Sequence, residues 1–146
     1  METETIRCRD LMVGDWITDN HGFQWQITNV GEDYAYATFE GNEADPWEFD
    51  DKDDQPQPIE ITEDIMRKNN WKVQGYTLLT SEHYYVKDED GNHLLWSRGT
   101  LSIWLAYGEA NDVVFSDVVL PCKYVHQLQG ALRLAGLTDM ANNFKV

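Results

Sequence analysis

Cysteine is scarce in this chain, and long apolar runs are absent. Only Cys8 and Cys122 occur among 146 residues, whereas a small domain held together by disulfides usually carries more cysteines. We therefore expect free thiols, a reducing compartment and a cytoplasmic location. The first ten residues lack the apolar stretch of a signal peptide. No apolar run approaches the roughly 18 residues that span a membrane, so we expect no membrane association.

Basic side chains are the second shortage. The chain has 11 Lys and Arg residues against 26 Asp and Glu residues, which gives a net charge of −15. Residues 1–60 hold 16 acidic and 3 basic side chains, a net charge of −13, so residues 61–146 contribute only −2. Such a field repels phosphate backbones, which argues against direct binding to nucleic acid. The same field predicts a protein partner with a basic surface.

The sequence also lacks the motifs of common cofactor and metal sites. Neither a glycine-rich phosphate loop nor a GxSxG nucleophile motif occurs. A calcium loop that starts at Asp88 would need Gly at its sixth position and Glu at its twelfth, but His93 and Gly99 stand there. The histidines share no ligand spacing. We predict no metal and no cofactor, and we interpret residues 88–92 as a hairpin turn.

What is present first is a β pattern. In residues 23–28, large apolar side chains alternate with Gln and Thr, and in residues 34–39, Tyr and Thr side chains alternate with Ala and Phe. Turn residues stand at 20–22 and 31–33. We predict a small SH3-like β-barrel or meander over residues 1–41. Residues 42–58 are rich in carboxylates and proline, which is typical of a solvated connector loop.

Two aromatic residues, Trp47 and Phe49, stand among the charges of this predicted connector. One interpretation is that they fold back onto the barrel. The other is that they form an interaction segment that binds a partner. The sequence leaves both open.

Residues 59–146 are predicted to form a second unit. Thr62 is a good N-cap for a short helix, and Asn69 or Asn70 can adopt the left-handed conformation that ends it. Strands are predicted near 73–79, 84–87, 94–97, 101–107 and 113–119, with a second hairpin turn at 108–112. A long helix closes the chain. The predicted fold class is therefore α+β, with an antiparallel sheet packed by a short helix and a long C-terminal helix.

The closing helix is predicted to run from Pro121, a natural first residue, to just before Gly136, a natural C′ residue. At about 100° per residue, it has an apolar stripe made of Tyr124, Val125, Leu128, Ala131, Leu132 and Ala135. The opposite face, which we expect to be exposed to solvent, carries Cys122, His126, Gln129 and Arg133. The last three, with Trp47 and Phe49, are our candidate binding residues.

The sequence leaves open two alternatives to the interpretation that this helix face is a contact surface for a partner. Cys122 at a helix N-terminus with His126 one turn later resembles a thiol–imidazole pair, although no orienting carboxylate or oxyanion donor is identifiable, so no catalytic residue is assigned. Paired tryptophans form the second alternative, because they are typical of carbohydrate or small-ligand platforms. These are Trp16 with Trp25, and Trp96 with Trp104, although such residues more often lie in a core.

Three segments carry a resemblance: LMVGDWI at 11–17, IEITEDIMRKNNW at 59–71 and LPCKYVHQLQGALRLAGL at 120–137. In these segments the chain resembles a set of small uncharacterised proteins encoded by gut Bacteroidales and their phages or mobile elements. The resemblance implies a bacterial or phage cytoplasm, and it implies no activity and no catalytic residues. The lack of an assembled active-site motif and the net charge of −13 over residues 1–60 lead us to expect a non-enzymatic interaction factor, such as an accessory factor of a phage or mobile element. A sharper version is an acidic decoy that offers carboxylates to a basic partner in place of phosphates.

Overall fold

The computed structural model describes residues 6–39, 42–53, 55–73, 83–87, 93–97, 99–107 and 112–146. The turn predicted at 88–92 lies outside these residues, as does nearly all of the turn predicted at 108–112. Of the strand predicted at 73–79, only its first residue is described.

The fold is α+β, with two antiparallel sheets and three α-helices among the described residues. The first sheet has the order β1-β2-β3-β4, and the second has the order β5-β6-β7-β8-β9. The strands of the first sheet are β1 (Trp16–Thr18), β2 (Gln24–Val30), β3 (Tyr34–Phe39) and β4 (Asn42–Asp50). Those of the second are β5 (Lys72–Val73), β6 (His83–Lys87), β7 (His93–Ser97), β8 (Thr100–Tyr107) and β9 (Asp112–Pro121). The helices are α1 (Glu63–Lys68), α2 (Val125–Leu134) and α3 (Thr138–Asn142). No helix within the described ranges is long and apolar enough to cross a membrane.

The chain divides into two compact units, and their residue ranges differ from the ranges that we predicted from the sequence. The first unit contains residues 1–60, 124–144 and 146, and the second contains residues 61–123 and 145. The closing helix therefore belongs with the first sheet, whereas we predicted it on the second. The physical reason is local pairing, because Glu60 and Tyr124 form an antiparallel bridge. The amide of Val125 also donates to the carbonyl of Ile59 at 2.9 Å.

The first sheet is an open meander in the part of the chain that the structure describes. Each of its strands pairs antiparallel with the next one in sequence. Thr18 of β1 also forms an isolated bridge with Gln57. No strand pairing closes the sheet into a barrel among these residues, so the meander form of our prediction is the one observed.

The region predicted as an acidic connector is largely a strand. Residues 42–50 form β4, in which Trp47 pairs with Ala37 and Phe49 pairs with Ala35. Phe49 is 3% exposed, and Trp47 packs against the same core. The two aromatics alternate with Glu48 and Asp50, which lie on the other face of the strand. This period of two is typical of a strand, but the many charges in the segment led us to predict a loop. The core of the first unit consists of Ile6, Cys8, Leu11, Ile17, Ile27, Ala35, Ala37 and Phe49.

Local signals in the second unit are confirmed. The Thr62 hydroxyl accepts a hydrogen bond from the amide of Ile65 at 3.3 Å, and Asn70 has a φ of +66°. The buried residues of this unit include Ile65, Met66, Trp71, Leu94, Trp96, Leu101, Ile103 and Cys122.

Helix α2 begins four residues later than predicted. Pro121 is the last residue of β9, and Cys122 is extended, with its amide donating to the carbonyl of Gly99 at 2.7 Å. Strand pairing therefore continues through the positions we assigned to the first helical turn. The predicted C-terminus is confirmed, because Gly136 has a φ of +84°. The amide of Leu137 donates to the carbonyl of Leu132 at 2.8 Å, as in a Schellman motif.

Candidate functional site

The helix face that we predicted to be wet is buried instead. Gln129 is fully buried, and the side chain of Arg133 is only 7% exposed. The predicted exposure is therefore wrong. Both residues turn toward the loop before β1, where the backbone supplies the partners that water would otherwise provide.

Gln129 uses both ends of its amide. Its carbonyl oxygen accepts from the amide of Trp16 at 3.0 Å. Its nitrogen donates to the carbonyl of Gly14 at 2.8 Å and to that of Ala141 at 3.0 Å. A buried amide with its hydrogen bonds made holds three segments of the first unit together.

Arg133 and Asp15 form a buried ion pair. Their closest atoms, Nη1 and Oδ1, are 2.5 Å apart, and Asp15 is 1% exposed. Arg133 also donates to the carbonyl of Val13 at 3.1 Å, and Asp15 accepts from the amide of Met12 at 2.9 Å. Burial raises the pKa of Asp15, and Arg133 opposes that shift. We call Asp15, Gln129 and Arg133 the polar clamp.

The clamp explains the Gly-Asp-Trp sequence at 14–16. Gly14 has a φ of +98°, and a Cβ atom there would lie 3.0 Å from Nη2 of Arg133. The indole nitrogen of Trp16 donates to the carbonyl of Phe144 at 2.8 Å. Two of the three segments that carry the resemblance are thus joined in one buried network.

The proposed thiol–imidazole pair is not assembled on a helix. Cys122 precedes α2, is 1% exposed, and has its pKa raised by burial to about 12. His126 stacks on Tyr124 with ring centroids 6.1 Å apart. Burial lowers the pKa of His126 to about 4, and the charge of Asp10 opposes this shift. A protonated, buried thiol is a poor nucleophile.

The tryptophans suggested for a sugar platform lie in or against cores. Trp96 is 7% exposed and its indole donates to the carbonyl of Cys122 at 2.7 Å. Trp25 donates to Asp19 at 2.9 Å and lies against Trp47, with ring centroids 5.3 Å apart. The side chain of Trp104 lies outside the described part of the structure.

An open groove of about 810 Å³ lies on the outer face of the first sheet. It crosses β2 and β3 and is bordered by the Gly14 loop, Pro46 and the end of α3. Its lining contains no charged side chain. Its polar lining consists of Gln26, Thr28, Asn29, Tyr36, Thr38 and Asn142.

A β-bulge determines which side chains reach this groove. The register between β2 and β3 shifts between Ile27 and Asn29, so that Asn29 pairs with Tyr36. Simple alternation would place Asn29 on the core face with Ile27. The bulge re-aims it, and Asn29 is exposed and lines the groove with Thr28.

Tyr36 pairs in turn with Glu48 of β4. One row across three strands therefore presents an amide, a phenol and a carboxylate, and we call Asn29, Tyr36 and Glu48 the outer row. The charge of Glu48, with desolvation and the hydrogen bond that the Tyr36 hydroxyl donates to Glu48, raises the pKa of Tyr36. Our sequence interpretation missed this row, although tyrosines alternate with alanines in β3 and aromatics alternate with carboxylates in β4.

A second cross-strand pair of a tyrosine and a carboxylate lies next to the outer row. Tyr34 pairs with Asp50, is 44% exposed, and meets Tyr36 edge to face with ring centroids 5.9 Å apart. Its ring lies over Gly31, where a Cβ atom would approach within 2.1 Å. Among the described residues, neither Glu48 nor Asp50 forms an ion pair with Lys or Arg. Glu48 accepts a hydrogen bond from the Tyr36 hydroxyl, and Asp50 accepts one from the amide of Lys52 at 2.8 Å, so neutral donors rather than cations contact these two carboxylates.

Comparison with protein-family models, curated proteins and solved structures gives no match to this chain. Within the described residues, no three His, Cys, Asp or Glu side chains are grouped so that they could hold a metal ion. The features that bear on function are therefore the groove, the outer row and the charge of residues 1–60.

Proposed function

We propose that this chain is a non-enzymatic interaction protein that binds a partner with a basic surface. The observation that supports it is the outer face of the first sheet, where two exposed carboxylates of β4, Glu48 and Asp50, pair across the strands with tyrosines of β3. Within the described part of the chain, neither carboxylate has a Lys or Arg counter-ion. The net charge of −13 over residues 1–60 acts in the same direction, because it accelerates association with cations at low ionic strength.

The sharper form of the proposal is an acidic decoy. A sheet that presents carboxylates in rows offers a nucleic-acid-binding protein negative charges in place of phosphates. The proposed setting is a bacterial or phage cytoplasm, as the resemblance implies. The meander and its Thr18–Gln57 bridge support a barrel-like, SH3-like arrangement as the finer description of the first unit.

The test is the salt dependence of partner binding. The full chain is immobilised, exposed to purified proteins of graded isoelectric point and to a bacterial lysate, and washed at low and at high salt. We expect retention of basic proteins only, with steep loss at high salt because exposed charges are screened. For a decoy, duplex DNA competes with the chain for the same proteins. Retention that is equal at both salt concentrations would contradict the proposal.

A matched pair of variants locates the charge effect. Asp45→Asn with Asp50→Asn removes two exposed carboxylates from β4, whereas Asp64→Asn with Asp139→Asn removes two from helix N-terminal turns. Both variants change the net charge equally. We expect weaker retention from the β4 variant, and equal weakening would show that total charge alone governs binding.

A further inference from the structure

The groove beside the outer row allows the partner's binding segment to be specified, an inference that rests on the proposed function. We propose that the groove and the outer row bind an extended, arginine-containing peptide segment of the basic partner. In this arrangement one guanidinium lies against Tyr36 and pairs with Glu48, while the peptide backbone follows the groove.

The lining of the groove suits a peptide backbone. Amide and hydroxyl side chains offer both donors and acceptors, as an extended backbone with alternating N–H and C=O groups requires. Gln26 already donates to the carbonyl of Gly14 at 3.2 Å, and Thr28 donates to that of Tyr36 at 3.3 Å. These bonds fix the two side chains in place. Three neighbouring strands span about 10 Å, which matches roughly three residues of extended chain.

The outer row suits arginine better than lysine. A guanidinium is planar, so it can stack on the Tyr36 ring and donate to a carboxylate beside that ring in the same pose. Tyr34 stands edge-on to Tyr36, and its cross-strand partner Asp50 adds a second carboxylate on that side. An ammonium group is a compact, strongly hydrated charge and gains less from stacking.

Charge complementarity selects a cationic occupant. The groove lining is neutral, Glu48 stands beside Tyr36 at one edge of it, and residues 1–60 carry a net charge of −13. An acidic or phosphorylated segment would meet repulsion from Glu48 and from this net charge. An apolar segment would leave the groove amides without partners, which costs free energy.

The experiment uses the full chain and two fluorescent peptides of equal length and charge, one alternating arginine with glycine and the other lysine with glycine. Binding is followed by fluorescence anisotropy. We expect the arginine peptide to bind about fivefold more tightly than the lysine peptide. Tyr36→Leu should abolish that preference, and Tyr36→Phe, which retains the ring, should restore it. Equal affinities for the two peptides in the native chain would overturn the assignment to arginine.

Two further variants test the location. Asn29→Lys places a cation opposite Tyr36 and should weaken arginine-peptide binding by about tenfold, whereas Asn29→Gln should not. Glu48→Gln should weaken it more than Glu32→Gln, which removes the same charge from an exposed turn. Circular dichroism checks that each variant is folded. Equal effects of Glu48→Gln and Glu32→Gln, with salt-dependent binding retained, would refute the groove and leave the proposed function standing. Absence of any salt-dependent binding to either peptide or to basic proteins would refute both.

Discussion

The polar clamp and the outer row contain similar kinds of side chain, but the clamp is a buried internal network and the outer row is an exposed surface. In the clamp, a carboxylate, an amide and a guanidinium satisfy one another and the nearby backbone, with 2.5 Å between Asp15 and Arg133. In the outer row, an amide, a phenol and a carboxylate stand side by side without a cation. The comparison teaches that similar residue types serve different ends according to whether the chain itself supplies the opposite charge. The clamp contains its own guanidinium, and we propose that the outer row receives one from a partner.

The largest expected effect comes from breaking the clamp. Arg133→Met leaves Asp15 buried without its counter-ion, and the loss of one partner of a buried pair costs about 3–5 kcal/mol. Urea denaturation of the full chain measures the free energy of unfolding. Arg67→Met is the matched control, because the Arg67–Glu63 pair is exposed and should contribute less than about 1 kcal/mol. Similar losses from the two changes would show that the clamp is not structural.

A second effect concerns His126, whose Nδ1 atom is buried without a hydrogen-bond partner among the described residues. Its folded-state pKa of about 4 lies below the ordinary value of 6.5, so the unfolded chain binds the proton more tightly. The contribution of the neutral imidazole to the free energy of unfolding is fully present above about pH 6.5, and it is lost as the pH falls toward 4.

The expected loss over this window is on the order of 2–3 kcal/mol. It is measured as the difference between the native chain and His126→Phe in urea denaturation at several pH values, because the subtraction removes the effect of other titrating groups. Parallel pH profiles for the two proteins would contradict the prediction.

Gly14 provides a smaller test of the clamp. Gly14→Ala combines a positive φ with a Cβ atom 3.0 Å from Nη2 of Arg133. Gly22→Ala has a similar φ of +86° but meets no atom within 4 Å, so it isolates the backbone cost of roughly 1 kcal/mol. We expect the midpoint of thermal unfolding to fall further for Gly14→Ala. A larger fall for Gly22→Ala would show that Arg133 adapts freely.

Short-range signals were readable from the sequence. Thr62, Asn70 and Gly136 occupy the cap positions predicted for them, because capping depends on the residue itself and its immediate neighbours. Alternation in residues 23–28 and 34–39 correctly predicted strands. The apolar stripe of α2 was also correct for Val125, Leu128 and Leu132, which are fully buried.

Long-range pairing was not readable. A helical wheel assumes that polar residues face water, but Gln129 and Arg133 find partners more than 100 positions earlier in the chain. Nothing local to α2 indicates those partners. The bulge that turns Asn29 toward the groove is likewise a property of two paired strands, so alternation within β2 alone cannot give the face on which that residue lies.

The smallest expected effect on stability is at the outer row. This effect is the one that best distinguishes the outer row from the polar clamp. Glu48→Gln and Asn29→Lys change exposed side chains that lack internal ion-pair partners among the described residues, so each should alter the free energy of unfolding by less than about 0.5 kcal/mol. The same two variants should weaken binding of the arginine peptide. Arg133→Met should instead act mainly on stability, with the loss of about 3–5 kcal/mol expected for a broken buried ion pair. A loss of stability at the outer row comparable to that of the clamp would mean that the hydrogen bond from Tyr36 to Glu48 is a major structural contact, and the two regions would then be alike.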